Sequence, residues 1–278
     1  MFQAPNQLMN SPVSILMFLL WAVLVAISLN FIIKGKLNNK YEILLYSVSA
    51  ILGGLLLGGI PNAVMPIHVI LITLGMNGPL LTIIPMIIVL SILLLTVLLL
   101  GRLFCGFACP VGALQELASK LKFKSSLKEQ KEVQFKLDIP QNVANITRGI
   151  FFGIVLILGI FLAFPLLQII NPFLGFGWIS PFVPFLLIPT ILLGGIFLAS
   201  IFTYRPWCRL FCPFGALGSI VGLVSRGKYE RTEDCTDCGI CEEICPTHQA
   251  VRGNNKSECY YCNRCVEACP SDAIQFKF

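Results

Sequence analysis

Charge is what this sequence has least of. Only 12% of its 278 residues are Asp, Glu, Lys or Arg, about half of what a soluble globular chain carries. Five apolar runs, 13–33, 43–60, 79–100, 149–170 and 182–203, have no charged residue in their interiors. That absence excludes an ordinary soluble globule, because runs near 20 residues are long enough to cross a bilayer. It also argues against a transporter, whose ion or proton path is marked by intramembrane charges. The segments 1–12, 61–78 and 171–181 lack Asp, Glu, Lys and Arg altogether. A c-type haem attachment motif is missing too, so an acceptor on that uncharged side would be reached through another subunit.

The charges that are present lie together. Of the twenty Lys and Arg, three fall in 34–41, eight in 101–148 and nine in 205–278. All of these segments lie on one side of a five-span path. The positive-inside rule makes that side cytoplasmic. The expectation is therefore a multi-pass protein of the cell membrane, N-terminus outside and C-terminus in the cytoplasm. The first run has no basic segment before it and reads as an anchor, not a cleavable leader. The apolar, proline-containing segment 61–78 is expected as an outer loop or interfacial stretch. The basic residues sit beside the spans, where anionic membrane lipid is the simpler partner and nucleic acid is not implied. Segment 115–148 carries seven bases against four acids, and 231–278 five against eight. These opposite signs would draw the two segments together or direct the acidic one to a basic partner.

All twelve cysteines fall on the same inner side. The cytoplasm is reducing, so they point to metal or redox chemistry and not to disulfides. Eight form two runs, "CTDCGICEEICP" and "CYYCNRCVEACP", each C-x2-C-x2-C-x3-C-P. Three thiolates two residues apart wrap three corners of a cubane, and in this spacing the fourth Cys crosses to the other cluster. Cys235, Cys238, Cys241 and Cys269 are then expected to hold one [4Fe–4S] cluster, and Cys259, Cys262, Cys265 and Cys245 the other. Paired zinc sites are the alternative. They explain the doubled x2-x2-x3-Pro pattern less well. Clusters of this kind pass single electrons.

The other four cysteines sit in a repeat. "RLFCGFACPVGAL" (102–114) and "RPWCRLFCPFGAL" (205–217) share seven of thirteen residues at an offset of 103. Each follows a span, an outer segment and a second span, giving blocks of about 43–114 and 149–217. Repeats in parallel topology are related by an axis along the membrane normal. Such an axis would bring Cys105 and Cys109 opposite Cys208 and Cys212. Pro110 and Pro213 suit the first turn of a helix. Leu114, Leu117 and Leu121, and Phe214, Leu217, Val221 and Val224, then mark its apolar face. Cys109 and Cys212 would stand at helix N-termini, where the dipole favours thiolate. Arg102, Arg205 and Arg209 would add positive charge. The expected occupant is a shared third Fe–S cluster. Copper or another soft metal is the alternative, followed by a redox-active dithiol and by plain packing of small apolar side chains.

With two CxxxCP motifs after apolar spans and a C-terminal two-cluster ferredoxin, the chain resembles the NapH-like membrane polyferredoxins over roughly residues 43–278. That family includes a quinol dehydrogenase membrane component of periplasmic nitrate reductase systems. Its relatives include the nitrous-oxide reductase regulator and a copper-linked oxidase assembly factor. The resemblance implies electron transfer between a membrane carrier, a quinol or analogue, and other redox subunits. The competing function is a copper reductase or assembly factor supplied with electrons by the tail.

The expected fold is an all-α membrane domain of about five transmembrane helices, containing a duplicated helix pair, plus a small α+β ferredoxin domain. Its parts would be an N-terminal helix and loop (1–42), repeat 1 (43–122), a basic loop (123–148), repeat 2 (149–226) and the ferredoxin domain (227–278). His68 and the aromatic run 171–182, with Trp178, are candidates to touch a quinone. An ordinary interfacial role explains both. His248 would sit near a cluster.

Overall fold

A computed structural model describes residues 12–35, 37–126, 137–179 and 187–278. The N-terminal segment, residues 127–136 of the basic loop and the start of the run at 182 lie outside the described residues, as does the side chain of Trp178.

The protein is mostly helical. Apolar stretches without internal proline build the long helices, Pro12–Ile33, Ile84–Leu100 and Gln141–Phe161. With the turn before the second of these, Leu80–Leu100 and Gln141–Phe161 are two helices long and apolar enough to cross a membrane. Their outward faces are formed by Ile87, Ile88, Ile92 and Leu95, and by Ile146, Ile150, Ile154 and Ile157, all exposed. Contiguous apolar surface of this kind suits lipid and is rare on soluble monomers. Helix Leu187–Phe202 is apolar and shorter.

Three boundaries differ from the sequence expectation. The run at 43–60 begins earlier, as helix Asn39–Val48, and continues in wide π-type turns over Ser49–Leu56. The run at 149–170 also starts earlier, as Gln141–Phe161, and is followed by a separate short helix, Leu166–Ile169. Segment 61–78 is not a loop on the surface. It folds as helix Val64–Gly75, with Val64, Ile67, His68 and Leu71 buried. That helix packs on Gln141–Phe161 and Ile84–Leu100. Twelve residues rise about 18 Å, well short of a 30 Å hydrocarbon core.

The duplication is visible in the packing. Each CxxxCP motif opens a helix at its proline, Pro110–Ser126 in one repeat and Pro213–Gly222 in the other. Helix Pro110–Ser126 packs on Asn39–Val48 of its own repeat and on Leu187–Phe202 of the other. Helix Pro213–Gly222 packs on Gln141–Phe161 of its own repeat and on Ile84–Leu100 of the other. The exchange is reciprocal, so the two motifs face each other at the centre.

The C-terminal part is joined to this bundle by backbone. The N–H groups of Arg226 and Gly227 donate to the carbonyls of Leu98 and Leu99, at 2.9 and 3.0 Å. Strand β1 (Lys228–Arg231) then pairs antiparallel with β2 (Ile274–Lys277), Lys228 opposite Lys277. Between them lie the two cysteine runs and the short helices Ile240–Glu243 and Arg264–Glu267. So little regular structure cannot by itself bury much of a core.

Candidate metal centres

Cys105, Cys109, Cys208 and Cys212 line one cavity, together with Arg102, Trp207, Phe214 and Tyr260. All four are buried. Two repeat-equivalent glycines shape this cavity. A Cβ on Gly112 would stand 2.3 Å from the Cys105 carbonyl oxygen, and one on Gly215 would stand 2.8 Å from that of Cys208. Any larger residue would push the first cysteine of its motif away. Cys212 caps its helix, accepting from the Gly215 N–H at 3.4 Å. Burial pushes the Cys105 thiol up to about 12, against the opposing pull of Arg102. Burial likewise raises Cys109, Cys208 and Cys212. Four buried thiols without a cation are therefore neutral, and a metal that binds them must displace their protons.

The donor set tests what group would fit. Four soft sulfurs with apolar walls suit iron–sulfur, zinc or copper(I). Ligands of a single zinc ion stand about 2.3 Å from it. Among the described residues no three His, Cys, Asp or Glu side chains group so closely. Four thiols lining one cavity match the four-cysteine ligand set of a cubane.

Cys235, Cys238, Cys241 and Cys269 line one pocket, so the last cysteine of the second run joins the first three of the first. Cys245, Cys259 and Cys265 line another. Cys262 is not among the residues that line it. Burial raises Cys259 to about 12. Cys269 shifts the other way: slight burial is outweighed by hydrogen bonds from the backbone of Ala273 and from Ser271. Cys238 is exposed, whereas Tyr260 and Tyr261, between Cys259 and Cys262, are buried. Cys238 thus brings the first run to the surface, while Tyr260 carries the second run to the four-cysteine cavity, which it also lines.

A buried charge network joins that second run to the four-cysteine cavity. Arg102 donates to Glu258 at 2.6 Å, to the Tyr260 hydroxyl at 2.8 Å and to the Gly215 carbonyl at 3.0 Å. Arg148 donates to Glu258 at 2.8 Å. Arg205, the repeat partner of Arg102, donates to Glu116 at 2.8 Å and to the Cys105 carbonyl at 2.7 Å. Arg264 and the Tyr204 hydroxyl also donate to Glu116, each at 2.8 Å. The Tyr260 ring lies between the Arg102 and Arg205 guanidiniums, 5.2 and 4.7 Å from its centre. Burial would raise the Glu116 carboxyl, but Arg264, Arg205 and Lys120 outweigh it and hold it at about 2.

Sequence reasoning named Arg102 and Arg205 but missed Glu116, Arg148, Glu258, Tyr260 and Arg264. The available signal was charge beside cysteine motifs in a chain with little charge elsewhere. Arg148 with Glu258 and Glu116 with Arg264 link the two segments of opposite sign, one pair in each direction. Arg209 turns away, to the carbonyls of Ile139 and Pro246. His68 is buried and hydrogen-bonded to Gln168. His248 pairs through Nε2 with Asp138 at 2.9 Å.

Cysteine-lined pockets on a two-stranded tail, joined to an apolar helical bundle, define a ferredoxin-type protein. The family described as a 4Fe-4S binding domain matches residues 82–128 and 182–232, and that described as a 4Fe-4S dicluster domain matches 221–276. The chain is 30% identical to the uncharacterized protein MJ0750 of Methanocaldococcus jannaschii, over 68% of this chain and 77% of that protein. It is 34% identical to YccM of Escherichia coli, over 55% of this chain and 44% of YccM. It is 28% identical to the ferredoxin-type protein NapH of Haemophilus influenzae, over 58% and 54%. In the alignments to YccM and NapH it thus spans about half of each relative. No solved structure matches. The chain belongs to the NapH-like polyferredoxin family, and it is a [4Fe–4S] electron-transfer protein of the ferredoxin type.

Proposed function

We propose that this protein carries single electrons between a lipid-soluble carrier, a quinol or analogue, and a redox partner at the cytoplasmic face. Cys235, Cys238, Cys241 and Cys269 bind one [4Fe–4S] cluster, and Cys245, Cys259, Cys262 and Cys265 a second. Cys105, Cys109, Cys208 and Cys212 bind a third. When bound, these groups supply one-electron storage at each site. One observation carries the reading: cysteines from both repeats line a single cavity that Tyr260 also lines, and Tyr260 is the next residue after Cys259. The matches to a 4Fe-4S binding domain at 82–128 and 182–232, which contain the CxxxCP motifs and not the two C-terminal runs, add support.

The residues of the chain do the rest. Arg102 and Arg205 fix the Tyr260 ring between the four-cysteine cavity and the second cysteine run and offset the negative charge of thiolate ligands nearby. Glu258 and Glu116 keep those guanidiniums paired where an unpaired charge would be costly. Phe104, Trp207 and Phe214 keep water from the four-cysteine cavity. The exposed Cys238 loop is where a soluble partner approaches. Five spans, near 12–33, 39–56, 80–100, 141–161 and 187–202, give an outer N-terminus and a cytoplasmic tail by the distribution of Lys and Arg.

Metal analysis of the anaerobically purified protein tests this. Three [4Fe–4S] clusters require about twelve irons per chain, and two require about eight. Replacing Cys105 and Cys208 by Ser is expected to remove about four. Copper at that site, lost in the same variant with iron unchanged, would replace the reading with a copper function. Clusters that never exchange electrons with a quinol analogue in liposomes would remove the quinol.

A further inference from the structure

The two repeats give their cysteines unequal surroundings, and at the sulfur of Cys208 one side chain makes the difference. Gln115 is fully buried on helix Pro110–Ser126 of the first repeat. Its Nε2 donates to Cys208 Sγ of the second repeat at 3.2 Å and to the Val111 carbonyl at 3.1 Å. Its Oε1 accepts from the Trp207 N–H at 3.1 Å. A backbone N–H can only donate, so Trp207 fixes which end of the amide is oxygen. Both amide protons then have assigned acceptors, one of them the sulfur. Position 218, the repeat equivalent of 115, is glycine. Cys105, the repeat equivalent of Cys208, therefore has no matching amide.

We propose that Gln115 is a positioning residue that raises the reduction potential of the four-cysteine site. The inference rests on that site holding a cluster. Reduction adds one electron to a group whose charge is spread over its thiolate sulfurs. An N–H aimed at one sulfur stabilises the added negative charge, and hydrogen bonds to sulfur are among the factors that set cluster potentials. A buried, low-dielectric setting strengthens the effect. The direction follows: the electron is held more tightly with Gln115 than without it. Of the two repeats, the second supplies the sulfur that is stabilised and the first supplies the donor, so the tuning exists only in the assembled pair.

The test is a redox titration of the full-length protein in nanodiscs, followed by electron paramagnetic resonance, on the wild type, Gln115→Met and Gln115→Glu. Met keeps the length of the side chain without a donor. Glu keeps the acceptor for the Trp207 N–H and exchanges the amide for a carboxylate. Both variants are expected to retain about twelve irons. One transition is expected to move to lower potential by roughly tenfold in its equilibrium constant, about 59 mV for one electron. The two ferredoxin transitions should not move. An unchanged third transition in both variants would overturn the inference while leaving the third site intact. Loss of about four irons in both variants would also overturn it, since Gln115 would then be needed to assemble the site and not to tune it. A wild type with about eight irons and no third transition is a different failure, because it removes the third cluster itself.

Discussion

Glu116 shows how much one residue holds in this protein. Its carboxylate receives Arg205, Arg264 and Tyr204, three groups from the second repeat and the tail, in a fully buried position. Replacing it with Gln removes the carboxylate charge that Arg205 and Arg264 share. Removing one partner of a buried ion pair costs about 3–5 kcal/mol, so Glu116→Gln should unfold at a markedly lower denaturant concentration. The carboxyl is held at about 2 against an ordinary value of 4.5. A depressed carboxyl binds fewer protons folded than unfolded. Its contribution to stability is therefore complete above pH 4.5 and lost as pH falls toward 2. Unfolding measured against pH should be flatter over that window in Glu116→Gln than in the wild type. Glycine matters at the same scale. Gly112→Ala places a carbon against the Cys105 carbonyl and should cost the protein about four irons while sparing the about eight of the tail, as read by iron analysis.

At the scale of elements, the junction between bundle and tail depends on a few polar contacts. Glu258 precedes the second cysteine run and pairs with Arg102, which follows the Ile84–Leu100 helix, and with Arg148 on Gln141–Phe161. Those two helices come from different repeats, so one carboxylate ties the tail to both. Glu258→Ala should increase amide hydrogen exchange over 258–265 and along the first turns of Gln141–Phe161. The β1–β2 pair, joined to the bundle separately through Leu98 and Leu99, should keep its protection. Equal loosening of the strands would mean that the junction is a single cooperative unit.

At the scale of the whole molecule, two features govern behaviour. One is the sorting of charge. All twenty basic residues fall in segments assigned to one side, so a membrane-impermeant amine reagent should label lysines in inside-out vesicles and none in right-side-out ones. Labelling in both orientations would refute the five-span path. The other is the contrast between a bundle held by apolar packing and a tail with two four-residue strands. Metal that binds only the folded form contributes directly to folding. Oxidative loss of the clusters should therefore abolish exchange protection in 228–278 while 84–100 and 141–161 stay protected.

The C-x2-C-x2-C-x3-C-P runs are legible without a structure because ligand spacing along a chain is itself chemistry. Apolar length and the placement of Lys and Arg are local properties too, and so is a proline that must start a helix after Cys109 and Cys212. These determined the class of the protein, its repeat and its twelve candidate ligands. Position in three dimensions is another matter. No local pattern says that Arg102 reaches Gly215 while Arg205 reaches Cys105, that Tyr260 sits between those two guanidiniums, or that Gln115 meets Cys208 of the other repeat. Nor does apolar composition tell a buried half-length helix at Val64–Gly75 from an interfacial loop, since both bury the same residues against different neighbours. Contacts between residues a hundred positions apart depend on how the two repeats pack, and only the tertiary structure decided those.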